Sequence, residues 1–243
     1  GTKVRHTAPE RVEEINVSVP PLSLQRKSGS ILKSFDNFIQ NNERRIEILE
    51  ESAKALYREW FVHYRYPGHE NDTMVDSELG PIPKQWEIKM LKEITEQLPV
   101  RKRYSQKLAE DNGIIPIIDQ SKDGILGFHC NEDGIEASLL NPVFTFANHT
   151  CAMRILHSPF SVIQNVFPKI GLSGVANTYF AYHSGLSKQT IEDYKGHHPL
   201  WRDTKVPVPS LRIQELFAQS QFYLIKNHFY LKLKIRMHAL FLF

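Results

Sequence analysis

The sequence predicts an α/β protein of the α+β type, with a mixed-sheet domain flanked by long helices of coiled-coil type. Two observations lead to this fold class. One stretch repeats apolar residues at steps of three and four, which is typical of a helix that lies along another helix. Elsewhere, short apolar runs separated by turn residues indicate strands, and no regular alternation of strands and helices is visible.

The composition indicates a folded protein. Of 243 residues, 41% are hydrophobic and 23% are charged, which excludes disorder, collagen and a disulfide-stapled domain. The two cysteines, Cys130 and Cys151, form no CxxC motif, which favours a reducing compartment and disfavours a structural zinc site. No stretch has the ~18 uncharged apolar residues of a membrane span. The polar start at Gly1, without Met, indicates a piece of a longer polypeptide that lacks a signal peptide.

Residues 28–66 are predicted to form the first long helix. Ser28 or Ser30 is suited to cap its start, and Pro67 is suited to follow its end. Such a helix would be about 58 Å long, so it needs a second helix to lie against. Asn42 is either a solvated helix residue or a polar position that fixes the register of the pair. The inward-facing stripe consists of Ile31, Phe35, Phe38, Asn42, Ile46, Leu49, Ala53, Leu56 and Trp60.

An internal repeat brackets most of the chain. Residues 17–25, VSVPPLSLQ, recur 189 positions later as residues 206–214, VPVPSLRIQ. Each copy is typical of an edge strand that is stopped by proline, and each leads into a run suited to a helix. The expected order is therefore the end of one domain, a helix, a whole domain and a second helix. A chance match of nine residues is the alternative.

Short apolar runs predict the elements of the globular domain. Residues 67–86 are rich in proline, glycine and acidic residues, and we interpret them as a linker. Beyond residue 211 a second helix is expected, but residues 231–239 alternate between apolar and basic with the period of a strand, so a truncated or aberrant end is expected there. The other expected elements are strands at 113–119, 142–147 and 150–156, the last two joined by a turn at Asn148 and His149, a turn at 122–124 and a helix at 175–183.

The motifs expected of an enzyme that acts on nucleotides are absent. The sequence contains neither G-x-x-x-x-G-K-[ST] nor G-x-G-x-x-G. Asn141-Pro142-Val143-Phe144 is similar to the Asn-Pro-Pro-aromatic signature of amino-group DNA methyltransferases, but it lacks the second proline. Asp119 with an acid-x-Lys string such as Asp203-Thr204-Lys205 would suit a nuclease. A self-contained DNA methyltransferase or nuclease is thus the alternative function. The histidines are interpreted as loop or core residues, and no metal or cofactor is expected.

The positive functional signal is a basic segment, which contains Arg101, Lys102, Arg103, Tyr104 and Lys107. Four cations and an aromatic ring on one short segment suit contacts with DNA phosphates and base edges. A solvated run of charge would have the same composition. Further lysines in expected loops could join such a surface, namely Lys122, Lys169, Lys188 and Lys195.

Two strings near the end of the first helix carry a resemblance to a known family. Residues 48–62, ILEESAKALYREWFV, and 64–70, YRYPGHE, resemble the central conserved region of specificity subunits of type I restriction-modification systems. Residues 79–86, LGPIPKQW, are similar to the start of that family's target-recognition domain. Residues 148–150 and 208–214 are similar to its interior and its end.

The resemblance implies a chain built from separate parts. Its second helix differs from the family, in which the corresponding helix is polar. The implied parts are a C-terminal remnant of a first target-recognition domain at 1–27, the central helix at 28–66, a linker at 67–86, a second target-recognition domain at 87–210 and a C-terminal helix at 211–243.

The resemblance also implies a function and partners. A chain of this family would be a non-catalytic, cytoplasmic subunit that recognises one half of a bipartite double-stranded DNA target and positions methyltransferase and restriction or translocase subunits. With one complete recognition domain, it would pair with a second copy or with a separate half-subunit. His149 would join the basic residues in contacting DNA. The implied helix and subunit interface consists of Phe35, Phe38, Asn42, Ile46, Leu49, Leu56 and Trp60.

Overall fold

The structure is a computed structural model that describes residues 13–121, 124–187 and 197–240, with side chains up to residue 226 in the last range. It has the α+β architecture expected from the sequence. The described residues divide into two compact units, a smaller one within 1–44 and 232–243 and a larger one within 45–231. The division falls within the first long helix, and the larger unit contains the sheets.

The first helix, α1, spans Leu22–Phe61 and therefore begins and ends earlier than residues 28–66. Pro21 rather than a serine precedes its first turn, and its carbonyl accepts hydrogen bonds from the backbone N–H groups of Leu24 and Gln25. Proline suits this position because its fixed φ is helical and it has no N–H to satisfy. At the other end, Tyr64 adopts a left-handed φ of 56°, which is incompatible with continuing the helix.

The stripe on α1 is confirmed for most of its length. Phe35, Phe38, Ile46, Leu49, Leu56 and Trp60 are half-buried, and Asn42 and Ala53 are buried, whereas Ile31 is exposed. Asn42 Nδ2 has no hydrogen-bond partner among the described groups, so its role in register stays a prediction. The most buried residues of the C-terminal half, Tyr57 and Phe61, lie beside the expected stripe because this half packs against a domain rather than against a helix alone.

The larger unit contains two four-stranded sheets. Eight strands form them: β4 Thr95–Gln97, β5 Arg103–Tyr104, β6 Ile115–Ile118, β7 Ile125–His129, β8 Val143–Ala147, β9 Met153–Leu156, β10 Ser161–Ile163 and β11 Val166–Gly171. The first sheet has the order β5-β10-β6-β7, with β10 parallel to both β5 and β6. The second has the order β4-β11-β8-β9 and is antiparallel throughout. The expected strands at 113–119 and 142–147 and the hairpin to 150–156 are thereby confirmed.

Smaller elements complete the unit. They are strands β1 Met74–Val75, β2 Ile82–Pro83, β3 Glu87–Met90 and β12 Lys205–Val208, and helices α2 Leu91–Ile94, α3 Thr178–Leu186, α4 His197–Asp203 and α5 Leu211–Leu240. Strand β1 pairs with β2, and β3 pairs with β12. The expected helix at 175–183 is α3, which starts at Thr178 because the Asn177 side chain caps it by accepting from the backbone N–H of Tyr179.

An aromatic core joins α1 to the sheets within the larger unit. Phe61 is fully buried, with its ring centroid 4.9 Å from that of Phe217, 5.0 Å from that of Phe180 and 5.9 Å from that of Trp86. Trp86 and Ile82 come from the segment interpreted as a linker. Residues 67–86 therefore contribute two strands and two core side chains as well as connecting the parts of the chain.

The strand-like alternation at residues 231–239 was misleading, since α5 remains helical to Leu240. No proline or glycine occurs in α5, and Leu, Lys, Arg, Met and Ala, which make up most of its end, are among the better helix formers. The two-residue alternation of this short stretch was a weaker signal than the uninterrupted run of helix-forming residues.

Both copies of the repeat begin a helix in the same way. Leu22 and Leu211, the first residues of α1 and α5, are 189 positions apart, as the repeat requires. Gln25 Nε2 donates to the carbonyl of Pro20 at 2.7 Å, and Gln214 Nε2 donates to that of Pro209 at 2.9 Å. The shared hydrogen bond favours a true repeat over a chance match.

The surroundings of the two copies differ. Gln214 also accepts from the backbone N–H of Asn177 at 2.8 Å, and Val206 and Val208 are buried where β12 pairs with β3. In the first copy, Val17 and Val19 are 72% and 70% exposed. The first copy thus has the helix start of the second, but the edge strand expected at residues 17–19 is not formed, because no strand among the described residues pairs with it.

Candidate nucleic-acid interface

Three turns of the larger unit meet at one edge of the two sheets. The turn after β6 contacts the turn after β8, because His149 N donates to Gln120 Oε1 at 3.0 Å and Thr150 Oγ1 donates to the Gln120 carbonyl at 2.8 Å. The turn between β10 and β11 contacts the same loop through Asn148 N, which donates to the Asn165 carbonyl at 2.9 Å. We call Gln120, His149, Thr150 and Asn165 the turn cluster.

The side chains of the turn cluster suit the reading of base edges. Asn165 Nδ2 lies 3.1 Å from His149 Nε2, so the amide donates to an imidazole nitrogen that carries no proton. His149 and Thr150 are exposed, and Gln120 and Asn165 are half-buried. Amide, imidazole and hydroxyl groups both donate and accept hydrogen bonds, as the donor and acceptor pattern of a DNA groove requires. The short turns fix these groups, and Asn165 has the left-handed φ of 63° that asparagine tolerates.

Arg103 stabilises one of these turns from inside the fold. Its guanidinium donates to the carbonyls of Ile163 at 2.8 Å and Val166 at 3.0 Å, the two residues that flank the turn carrying Asn165. Burial lowers the pKa of Arg103, but a guanidinium stays charged under all ordinary conditions. Since its donors are used inside the fold, Arg103 is placed to hold a turn rather than to contact a phosphate.

Tyr104 is also used inside the fold. Its ring is buried and stacks on His129 at 4.2 Å, and its hydroxyl donates to Asp133 Oδ1 at 2.6 Å. Burial is the main cause that raises the pKa of Tyr104, with the bond to Asp133 next. The aromatic residue of the basic segment therefore serves packing, and stacking on a base would require it to leave its site.

The remaining cations of the basic segment are exposed on two different sides of β5. Lys107 follows β5 in a single 3-10 turn, Gln106–Leu108, that packs against β7. Arg101 and Lys102 precede β5, and Lys102 Nζ lies 3.6 Å from Asp133 Oδ2. The strand thus separates two exposed cations that precede it from one that follows it.

Lys169 lies in the interior rather than on the surface. It is 3% exposed, on the face of β11 that α4 covers, with its Nζ 5.4 Å from the Trp201 ring centroid. Burial, and then the charge of Arg202, lower the pKa of Lys169 to about 8. Lys169 was expected in a loop but lies in a strand. The other three lysines proposed for the surface, Lys122, Lys188 and Lys195, lie outside the described residues.

His198 connects the covering helix α4 to the turn region. Its backbone N–H donates to Asn148 Oδ1 at 3.1 Å, and its ring stacks on Phe167 at 4.2 Å. Burial is the main cause that lowers the pKa of His198 to about 4, so the ring is neutral near pH 7.

The polar residue types in the turns were the one sequence signal for Gln120 and Asn165. Their proximity follows from strand pairing, which a single sequence does not show.

The groups considered for catalysis lie apart in separate local structures. Asn141 N donates to Ser138 Oγ at 3.0 Å in the turn before β8, and Asp119 Oδ1 accepts from Ser121. Asp203 pairs with Lys92 at 2.8 Å on the surface. In the part of the chain that the structure describes, no group of three or more His, Cys, Asp or Glu residues could hold a metal ion. No helix among the described residues has the length and apolar character needed to cross a membrane.

The sequence is similar to specificity subunits of restriction enzymes. A family model described as the type I restriction modification DNA specificity domain matches residues 1–51. The MjaVIII specificity subunit of Methanocaldococcus jannaschii, a type I restriction enzyme, is 32% identical over 96 residues, which are 40% of this chain and 22% of that protein. The MjaIX specificity subunit of the same organism is 29% identical over 108 residues, which are 44% and 25%. The chain thus matches about a quarter of the length of these relatives.

A solved structure shares the fold. The crystal structure of the type I restriction-modification S subunit from M. genitalium superposes with a TM-score of 0.61 and 14% identity, over 99% of this chain and 64% of that chain. At this identity, the likeness shows the fold alone. Together with the sequence matches, it confirms the resemblance that the sequence carries: the chain is similar to specificity subunits of type I restriction-modification systems.

Proposed function

We propose that this chain is a non-catalytic DNA-recognition subunit that reads one half of a bipartite double-stranded target. The turn cluster is the observation that carries this proposal. Three separate turns present amide, imidazole and hydroxyl groups at one edge, held to one another by hydrogen bonds of 2.8 to 3.1 Å. In this proposal Gln120, His149 and Asn165 read bases, and exposed cations of the basic segment, such as Lys107, contact phosphates.

The long helices suit a role in assembly. The half-buried stripe of Phe35, Phe38, Ile46 and Leu49 is spaced for contact with another helix. We propose that this stripe, with the second helix α5, positions methyltransferase subunits and, through the complex, restriction or translocase subunits on cytoplasmic DNA. In the same proposal the parts of the chain are the remnant of a first recognition domain up to residue 27, the central helix, a connecting segment at 67–86 and a recognition domain at 87–210.

The uncovered first copy of the repeat supports pairing of the chain with a further recognition domain. Val17 and Val19 are exposed where the equivalent Val206 and Val208 pair with β3. The second domain would come from a second copy of this chain or from a separately encoded half-subunit. A pair of identical chains would be two-fold symmetric and would read an inverted repeat.

A selection experiment tests the DNA-reading role. The full chain, with and without a methyltransferase subunit of its family, is incubated with a randomised duplex library, and bound duplexes are sequenced. We expect one enriched half-site, and we expect His149→Ala and Asn165→Ala to weaken or change the enrichment. Gln219→Ala, an exposed amide on α5, is the matched control and should leave it unchanged.

The same purified chain tests the alternative of a self-contained DNA enzyme. Methyl transfer or metal-dependent cleavage by the chain without partner subunits would replace the proposed role with that alternative. Binding with no enrichment in any assembly would instead remove the sequence-reading role.

A further inference from the structure

A polar network lies at the opposite end of β5 from the turn cluster. It consists of Lys102, Tyr104, His129, Asn131, Asp133 and Ser161. His129 is 2% exposed, and its Nε2 lies 2.9 Å from Ser161 Oγ. The backbone N–H of Asn131 donates to His129 Nδ1 at 3.1 Å, so Nδ1 must accept and the ring proton is on Nε2, facing Ser161. This part of the network is buried and fixed.

The fixed part holds one carboxylate in place at the surface. The Tyr104 ring stacks on His129 with an interplanar angle of 14°, and its oxygen accepts from Asn131 Nδ2 at 3.0 Å. Its proton is donated to Asp133 Oδ1 at 2.6 Å, a short bond of the kind formed to charged acceptors. This bond is the first cause that lowers the pKa of Asp133, so the carboxylate is ionised at neutral pH. Asp133 therefore presents a fixed negative charge through its second oxygen.

Lys102 faces that oxygen but makes only a long contact with it. The distance from Lys102 Nζ to Asp133 Oδ2 is 3.6 Å, longer than the ~2.8 Å of a charged hydrogen bond. The ammonium also lies 4.6 Å from the Tyr104 ring centroid, on the face of the ring, where the quadrupole attracts a cation. The Lys102 side chain is 42% exposed. The ammonium is thus held in one position, and its donors remain available to a stronger acceptor.

We propose that Asp133 stands in for a DNA backbone phosphate, holding Lys102 ready in free protein and opposing phosphates that approach it. This inference rests on the proposed DNA-reading function and assigns a positioning role to Asp133. Two effects follow from one carboxylate. It orders a long lysine side chain before binding, and it repels duplexes that are held by charge alone. A duplex that is held by few contacts loses a larger share of its binding free energy to that repulsion, so Asp133 limits non-specific binding.

A double-mutant cycle tests the proposal on random-sequence duplex DNA, with fluorescence anisotropy as the readout. Asp133→Asn keeps an oxygen that can accept from Tyr104 and removes only the charge. We expect it to tighten non-specific binding about threefold, the effect of removing a unit charge about 6 Å from a phosphate in a water-like dielectric. In the Lys102→Ala background, the same substitution should have much less effect, because without the ammonium no phosphate is drawn to within about 6 Å of the carboxylate.

Glu136→Gln is the matched control, since Glu136 is an exposed carboxylate on the segment that follows Asp133. It should show no coupling to Lys102. An equal effect of Asp133→Asn with and without Lys102 would overturn the proposal and leave only a general charge effect. Failure of the unaltered chain, alone and with its methyltransferase partner, to bind any duplex would instead contradict the proposed function. Thermal unfolding of each variant shows whether Asp133→Asn keeps the fold, and Asp133→Ser offers a second neutral variant if it does not.

Discussion

Cationic residues of the same basic segment have different roles at the scale of single residues. Arg103 uses its guanidinium on two backbone carbonyls, whereas Arg101 and Lys107 are exposed. We expect Arg103→Ala to destabilise the larger unit by about 1–3 kcal/mol, because the carbonyls of Ile163 and Val166 lose their charged donor. Discrimination between DNA sequences should fall, since the turn with Asn165 is loosened, while the slope of log affinity against log salt should remain nearly constant.

The exposed cations give the opposite result. Replacing Arg101 and Lys107 by alanine should leave the free energy of unfolding nearly unchanged and reduce the salt slope by about 0.9 for each phosphate contact that is lost. Urea unfolding and binding titrations at several salt concentrations distinguish the two cases. A reduced salt slope for Arg103→Ala, without loss of stability, would contradict the role inferred from its hydrogen bonds.

His183 makes the stability of the larger unit depend on pH. Its ring is buried between Tyr57 and Phe217, and burial lowers its pKa from 6.5 to about 4. The unfolded chain therefore binds more protons than the folded one between these values. The free energy of unfolding should be highest above pH 6.5 and should fall as the pH drops toward 4. The fall should be about 3 kcal/mol if the whole pKa shift contributes.

Urea unfolding at pH 7.5 and pH 5 measures this dependence. His183→Gln should reduce the difference in unfolding free energy between the two values, whatever its effect on absolute stability. His63→Gln, at an exposed position just after the end of α1, is the control and should retain the difference. An unchanged pH dependence in His183→Gln would mean that another group causes it, and His198 would be the next residue to replace.

The sequence predicted which residue types would matter but not how they would be used. Arg103 and its acceptors at 163 and 166 are sixty residues apart, and their contact depends on the parallel pairing of β5 with β10. Tyr104 on β5 and His129 on β7 meet although β10 and β6 lie between their strands in the sheet. A run of cations therefore predicts a charged surface but cannot distinguish a side chain that faces solvent from one that faces a carbonyl.

At the scale of elements, the two halves of α1 have different surroundings. In the second half, Phe61 is fully buried among Phe180, Phe217 and Trp86, while Leu32 in the first half is 54% exposed. We expect Phe61→Ala to destabilise the larger unit by about 3–5 kcal/mol through loss of burial and the cavity it leaves. Leu32→Ala should change stability by less than about 0.5 kcal/mol. Urea denaturation followed by tryptophan fluorescence measures both.

Equal unfolding midpoints for these two variants would mean that the helix end is not part of the core. Leu56 also packs against this core, so Leu56→Asp would disturb the fold as well as any assembly. The spacing of apolar residues predicted a buried stripe correctly, because periodicity depends only on the helix itself. It could not show that the second half packs on a domain, which requires knowing where α3 and α5 lie.

At the scale of the whole molecule, the length of α1 should set the distance between DNA half-sites if two chains pair. Inserting one heptad between Ile46 and Leu49 adds seven residues at about 1.5 Å each, which corresponds to about three base pairs at about 3.4 Å per pair. The preferred spacer in selected duplexes should lengthen by that amount. An alanine heptad and a heptad copied from the stripe should give the same shift if geometry alone is responsible.

Sedimentation of the purified chain decides whether pairing with itself occurs. We expect dimers at tens of micromolar, or two chains on a duplex with an inverted repeat. A monomer that gains no second copy on such DNA would remove self-pairing, and the spacer prediction would then apply only to a complex with a separate half-subunit. The repeat could be found from the sequence because it is a property of one chain, whereas the pairing of its first copy with another chain could only be proposed.

The hydrogen bonds that join the turn cluster limit how recognition can change over evolutionary time. Gln120 is bonded to the backbone of His149, and the imidazole of His149 is bonded to Asn165, so no one of these residues can be exchanged without altering the positions of the others. Substitutions there should be non-additive, with many single changes losing the old sequence preference before a new one is acquired. Shifts in specificity should therefore occur by concerted replacement of several turns, as recombination of whole segments provides, more readily than by successive point mutations.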